Sequence, residues 1–377
     1  MPLQDRLSVH LALFLALPWT GTCHAQEPRP RSGFDTEYVH DFSHILTSRI
    51  YLSTKNNRMH LGALPGAKEL VYQPNNRINL GLGASYRAIT LNLGFPVPFI
   101  NQDDEVKGRT RYLDAQANIL TQGTATNLFL QGFSGYYLSS HTHGEVNWLM
   151  DYARPYRPDV WQFNVGVSSV RILNSERFSY RASFNQDAWQ RRSQGSWLVG
   201  GYATWFSVQA DSSMVPTMLQ GSFIGSTQMR RGSFGDLGPM GGYVYTFVIR
   251  EHIFMTLSLV GGAGVSTQRT RQPVEDGERL HARVGPGWHA QLRAGAGYNS
   301  ARYYAGVGYN QERIGYLLEQ QRGVQWMVSN LRFNIVRRFN THIPFMDRGI
   351  RWFRKRVQEP VEEVLPEIPV LPLPGSD

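Results

Sequence analysis

Cysteine is nearly absent: Cys23 stands alone in 377 residues. A lone thiol forms no internal disulfide, and no CxxC pair or Cys/His array offers a structural zinc site. Lysine is almost as scarce. It stands only at Lys55, Lys68, Lys107 and Lys355, so 34 of the 38 cationic side chains are arginine. Only 18% of residues are charged, yet the balance is +9. No apolar run reaches the roughly 18 residues of a transmembrane helix. A GxSxG elbow, an HExxH motif, a P-loop and a dinucleotide fingerprint are also missing, which removes the usual signatures of hydrolases, zinc proteases and nucleotide-binding enzymes. What the chain does have is aromatic residues, 12% of the total. A disordered chain carries far fewer.

Residues 1–25 read as an address. Asp5 and Arg6 precede the apolar stretch Leu11–Leu17, then Pro18, and the segment closes on Cys23-His24-Ala25 before Gln26. The pattern predicts a secretory signal peptide cleaved after Ala25; Thr20-Gly21-Thr22 is a poor approach to a lipidated Cys23. Export without a thiol leaves packing and sheet hydrogen bonds to hold the fold. Residues 26–43 are expected to be a periplasmic lead-in.

From about residue 44 to residue 339 the hydropathy period is two. Leu80, Leu82 and Ala84 alternate with polar or glycine neighbours, and after Arg87 the parity flips to Ile89, Leu91, Leu93 and Phe95. Leu113, Ala115, Ala117 and Ile119 form another such row, as do Trp161, Phe163, Val165 and Val167. Later rows are Ala290 to Tyr298, Tyr303 to Tyr309 and Leu331 to Phe339. Further strands are expected at 45–54, 126–139, 177–186, 195–209, 239–250 and 252–267, with loops at 212–238 and 268–283. The sum is about 12 strands and an all-β chain. A soluble sandwich and a membrane barrel share this alternation and differ in which face is wet. Strands long enough for a tilted span of about 9–11 residues favour the barrel. So do polar faces rich in Gly, Asn, Gln and Arg, and aromatics at strand ends (Tyr86, Phe95, Tyr136, Tyr137, Trp161, Tyr298) placed as interfacial girdles. The expected fold is a transmembrane antiparallel up-and-down β-barrel over residues 44–339, followed by a short C-terminal amphipathic helix.

The run Arg177-Phe178-Ser179-Tyr180-Arg181-Ala182-Ser183-Phe184-Asn185-Gln186, continuing to Trp189-Gln190-Arg191-Arg192, resembles the central signature of a Bacteroidota envelope family. That family is the domain of unknown function DUF4421. Tyr72-Gln73-Pro74-Asn75-Asn76 and Gly135-Tyr136-Tyr137-Leu138 resemble two further signatures of the same family, in the same order along the chain. The resemblance covers residues 36 to 339 and implies an outer-membrane β-barrel. It implies no reaction.

Beyond Phe339 the period changes. Ile343, Met346, Ile350, Phe353 and Val357 make an apolar stripe at helical spacing, beside Arg348, Arg351, Arg354, Lys355 and Arg356. A basic amphipathic helix over 340–358 suits anionic headgroups such as lipopolysaccharide, or packs across the barrel mouth. The Pro-rich tail 359–377 is expected to be extended and open to a periplasmic protein. Candidate sites inside the barrel are few. His141 and His143 flank one residue and could seed a metal site, but no third ligand is near in sequence. The densest polar cluster is Arg181, Asn185, Gln186, Asp187, Arg191 and Arg192; His289, Gln291 and Arg293 share the polar parity of one strand. These groups either set the electrostatics of a lumen or vestibule, or cross-link and fill it. No cofactor is expected, and scattered arginines on an exported chain disfavour nucleic acid. The resulting expectation is a non-enzymatic structural or binding barrel or narrow conduit. An envelope lipid- or glycan-modifying enzyme and a transport pore are the alternatives.

Overall fold

The computed structural model describes residues 33–76, 78–86, 89–97, 103–146, 154–318 and 323–340. The expected signal peptide, the expected amphipathic helix with its basic row from Arg348 to Arg356, and the tail lie outside the described residues.

Fifteen strands run in chain order: β1 (Val39–Asp41), β2 (Leu46–Leu61), β3 (Leu70–Gln73), β4 (Ile78–Tyr86), β5 (Ile89–Pro96), β6 (Arg111–Leu120), β7 (Thr124–Leu138), β8 (Tyr156–Ile172), β9 (Ala188–Gln190), β10 (Gln194–Gln209), β11 (Arg231–Ile249), β12 (Ile253–Val274), β13 (Gly277–Asn299), β14 (Tyr303–Leu317) and β15 (Gly323–Phe339). Three single-turn helices intervene: α1 (Asp104–Lys107), α2 (His143–Val146) and α3 (Tyr180–Phe184). From β7 to β15 the long strands pair antiparallel with their neighbours in sequence, and β15 returns to pair with β2 along sixteen positions, from Val324 opposite Leu61 to Phe339 opposite Leu46. Short β3 bridges β2 to β7 and completes a ring of ten strands. Closure removes the sheet edges that a bilayer cannot hydrate. Beyond β3 the wall continues differently: β4 and β5 extend from β2, and β6 extends from β7.

The wet and dry faces follow from β2. Ile50 and Leu52 point outward and are about half exposed (54% and 45%), whereas Arg49, Tyr51 and Ser53 are buried inside. Leu80, Leu82, Leu257, Leu259, Phe333 and Ile335 continue this exposed apolar band around the ring. An apolar band on the outside of a closed barrel with a polar interior defines a membrane-spanning protein. Towards the β3 end the pattern inverts without any change of backbone parity. Thr54, Asn56, Arg58 and His60 now face out, while Met59 and Leu61 face in. There the interior is a packed apolar core of Met59, Leu61, Tyr72, Phe129, Phe133, Phe206, Phe234 and Trp326, sealed by the loop bearing Met214 and Phe223. The strands outrun the bilayer: β12 and β13 have 22 and 23 residues, about twice what a tilted span requires.

Four sequence expectations need correction. Residues 177–186 are not a strand but a turn and α3; the alternating aromatics fit period two, yet Phe178, Tyr180 and Ala182 are all buried because the segment is folded into the barrel mouth. The 268–283 separator is the outer half of the β12–β13 hairpin. β11 likewise begins inside the proposed 212–238 loop, at Arg231. Tyr86, Tyr136 and Tyr137 are not interfacial girdle residues: each is buried, and the Tyr136 hydroxyl donates to Gln162 Oε1 at 2.6 Å.

Candidate functional site

The chain enters the barrel at Leu46 and leaves it at Phe339, both at the same mouth. The segment between β8 and β10 tucks into that mouth. Gln186, with φ of 59°, turns the chain back after α3, and β9 then pairs with β1 across the opening. Arg181 holds the turn: its Nε donates to Asp187 Oδ1 at 3.1 Å, and its terminal nitrogen meets both Asp187 Oδ2 (2.9 Å) and Asp41 Oδ1 (3.1 Å). Asn185 Nδ2 also donates a hydrogen bond to Asp187 Oδ2 at 2.6 Å. Two arginines of the wall grip the plug from outside it. Arg49 donates to Gln186 Oε1 and to the Asn185 carbonyl, each at 3.1 Å. Arg338 donates to the Gln186 carbonyl at 2.7 Å and packs over Phe42 at 4.5 Å. Ser183 and Tyr180 bond the opposite wall through Thr256 (2.6 Å) and Ser258 (2.9 Å). The arginine fork explains the bias against lysine, since each guanidinium serves several acceptors at once.

The six-residue cluster read from the sequence is thereby divided. Arg181, Asn185, Gln186 and Asp187 act together in the plug. Arg191 and Arg192 stand at the rim, paired with Glu251 and Glu37 (both 3.0 Å) and stacked on Trp189 and Tyr38. Arg49 and Arg338 escaped notice because their strand parity was legible but their plug partner was not.

Deeper in the lumen, β13 carries His289, Gln291 and Arg293 inward. His289 Nε2 lies 2.7 Å from Glu312 Oε1, which also accepts from Gln291 Nε2 at 3.1 Å. Gln291 reaches Ser168 across the barrel at 2.7 Å, and Arg293 bonds Asn127. Glu312 was missed although it has the inward parity of β14; nothing in the sequence reveals that register sets it beside Gln291. These contacts tie β7, β8, β13 and β14 together through the middle of the barrel.

Between this network and the plug lies a chamber of about 1090 Å³. Its walls carry Arg49, Lys55, Arg181, Arg293 and Arg332 against the carboxylates of Asp114 and Asp187. Lys55 is paired with Asp114. Arg332 lies over the Tyr51 ring at 4.4 Å and has no carboxylate partner among the described residues. Tyr51 in turn lies across Gly81, where a Cβ would sit 2.1 Å from its ring. The inner-face glycine makes room for the ring that supports the arginine.

His141 and His143 do not form a site. Thr142 precedes α2, its amide and hydroxyl both donating to Glu145 Oε2 at 2.6 and 3.0 Å, so the carboxylate supplies the half of a capping box that satisfies the amide before the helix. The amide and hydroxyl of Thr142, together with Lys68, hold the Glu145 carboxyl at about 2. His141 is buried against Ser140 Oγ (2.8 Å), and burial, aided by Lys68, pushes its pKa down. The side chain of His143 is outside the described set. Among the described residues no three His, Cys, Asp or Glu side chains gather to hold a metal ion. Nor does a Ser–His–acid relay assemble on either buried imidazole: His289 faces Glu312 with no serine on its other nitrogen, and Glu145 is committed to Thr142 and Lys68.

The molecule is therefore a membrane β-barrel, plugged at one mouth and packed at the other, with a cationic chamber between. The family model for the domain of unknown function DUF4421 matches residues 34–339, and the chain belongs to that family. No curated protein matches it in sequence. Among solved structures it is similar to the outer membrane protease OmpT of Escherichia coli at 10% identity and a TM-score of 0.35, covering 81% of this chain and 100% of that one. It is also similar to the toluene transporter TodX of Pseudomonas putida at 8% identity and a TM-score of 0.22, covering 79% and 91%.

Proposed function

We propose that this is a non-enzymatic binding barrel of the outer membrane, which holds an anionic ligand in its central chamber rather than conducting solutes. The observation that carries the reading is the excess of arginine around a hydrated space closed at both ends. A conduit needs an open lumen, whereas here Arg181, Arg49 and Arg338 fasten the plug and an apolar core fills the far mouth. Buried cations without carboxylate partners are costly unless an anion joins them. The mouth bearing both chain ends faces the periplasm in this reading. Export by the segment ending at Ala25, headgroup contact by the basic row from Arg348 to Arg356, and a periplasmic partner on the tail belong to the same proposal.

Two measurements test it. In planar bilayers the purified protein shows no steady single-channel conductance; a stable open channel would overturn the closed-barrel reading. Titration calorimetry in detergent shows saturable binding of glycerol phosphate, weakened about tenfold by Arg332→Gln, consistent with the loss of one charge-assisted contact. Absence of anion binding would refute the chamber's role.

A further inference from the structure

The wall of the chamber is not sealed. Among the described residues β5 pairs only with β4, and β6 only with β7, so the chamber is flanked there by two strand edges with no ladder across the seam between them. Asn92, Gly94, Gln116 and Asn118 are exposed to the chamber they line, and Leu93, Phe95 and Ile119 are exposed on the outer face. On β7 next door the inward Asn127, Phe129 and Gln131 are buried.

The chamber runs through this seam. Its lining includes Gln116 and Asn118, which point inward, and also Ala117 and Ile119, which point outward on the same strand. The lining takes in every residue from Gln116 to Gln122, so the space runs along the backbone edge of β6 and the turn after it. Unpaired backbone at membrane depth is tolerated where it lines a water-filled cavity, and the polar chamber supplies that water. The passage thus leads from an apolar outer rim, Leu93, Phe95, Leu113 and Ile119 (54%, 62%, 61% and 50% exposed), to a polar, cationic interior. Inside, the guanidinium-bearing Arg49, Arg181, Arg293 and Arg332 line the chamber together with the amides Asn57, Asn330 and Asn334.

We infer that the seam between β5 and β6 is a lateral portal for an anionic amphiphile, whose phosphate or carboxylate head occupies the chamber while its acyl chain lies in the seam against the outer rim. The arginines suit the anion, and the asparagine amides suit hydroxyls of a glycerol or sugar head. This rests on the anion-binding reading of the chamber and extends it by naming the ligand class and its route.

The test uses the full chain in detergent, with palmitoyl lysophosphatidylglycerol as the amphiphile, glycerol phosphate as the head alone and monopalmitoyl glycerol as the neutral chain, each scored by native mass spectrometry and calorimetry. The lysolipid is expected to bind at least tenfold more tightly than either control. Leu113→Trp, which crowds the seam from the outer rim of β6, weakens the lysolipid about tenfold and leaves glycerol phosphate unchanged. Heat-modifiable gel migration verifies that the variant is folded, and Leu93→Trp on β5 serves if it is not. Equal affinity for lysolipid and glycerol phosphate, or indifference to the seam substitutions, overturns the portal while leaving the chamber. Binding of the neutral chain as tightly as the lysolipid overturns the role of the anionic head. Failure of both anions to bind overturns portal and chamber together.

Discussion

Arg338→Met is the most direct probe of the plug. Arg338 sits one residue from the end of the last wall strand, so removing its guanidinium spares the β14–β15 and β15–β2 ladders. What it severs is the attachment. Its nitrogens donate to the Gln186 carbonyl at 2.7 and 3.2 Å and to the Ala188 carbonyl at 3.4 Å, both in the plug, and to Asn299 Oδ1 at 3.0 Å and the Ser300 carbonyl in the wall. Methionine keeps the aliphatic stem over Phe42 but offers no donor. A hydrogen bond to a charged group contributes about 1.5–3 kcal/mol net. With one strong and one long attachment to plug carbonyls, the closed state loses about 2–4 kcal/mol. At 1.4 kcal/mol per tenfold, the open population rises about 30- to 1,000-fold. Hydrogen exchange read by mass spectrometry should show faster exchange in peptides covering residues 177–190, with β12 peptides unchanged as the internal control. Arg338→Lys should fall between, because an ammonium cannot span the same acceptors. Exchange that stays slow in 177–190, or that rises equally in β12, would refute the claim that Arg338 fastens the plug.

Three further outcomes are expected. Glu312→Leu leaves His289 Nε2 and Gln291 Nε2 without their shared acceptor inside the barrel and should cost about 1–3 kcal/mol, read as a lower unfolding midpoint in urea, whereas His289→Leu with Glu312→Leu should recover part of the loss. Gly81→Val cannot coexist with the present Tyr51 ring position, so Arg332 loses its support; glycerol phosphate binding should weaken about as much as in Arg332→Gln, and unchanged binding would show that Arg332 does not need Tyr51. The Glu145 cap is held at about 2, below the ordinary glutamate value. A lowered carboxyl stabilises above the unfolded pKa of about 4.3 and loses that contribution as pH falls through the folded value. Exchange protection of the loop around Thr142 should therefore be full at pH 5 and vanish near pH 2, and Glu145→Gln should abolish the pH dependence.

The outer face of the barrel is written openly in the sequence because lipid admits only apolar residues there, so Ile50, Leu52, Leu80, Leu82, Phe333 and Ile335 repeat at period two. The inner face of the same strands is less legible. Past the bilayer the barrel behaves as a water-soluble domain, and the apolar parity moves inside at Met59 and Leu61 while Arg58 and His60 turn out. A reader counting one apolar face per strand stops the strand there, which is why the outer part of the β12–β13 hairpin reads as a loop. The signature segment fails for another reason: Phe178, Tyr180 and Ala182 are buried by the wall around them, and a locally alternating pattern contains no record of that enclosure. Strand sequences also carry no statement of their partners. β5 and β6 read as ordinary strands, and only the pairing exposes that, among the described residues, neither has a neighbour on one side.

Plug and chamber are a single arrangement, since Arg181, Asn185, Gln186 and Asp187 both close the mouth and line the chamber. Arg49 makes the link physical: it holds Gln186 and Asn185 and also lines the chamber. A ligand that binds with the plug seated stabilises the seated state by its binding free energy, and plug loosening lowers ligand affinity by the same factor. The seam is subject to the same linkage, because an acyl chain between β5 and β6 occupies the space that any direct pairing of those strands would need. Occupancy of the chamber, seating of the plug and opening of the seam are therefore coupled through the side chains around one cavity. The dependence on arginine follows from this geometry: a planar fork can hold a plug carbonyl and a side-chain amide at once, where a lysine ammonium would offer a single strongly hydrated point.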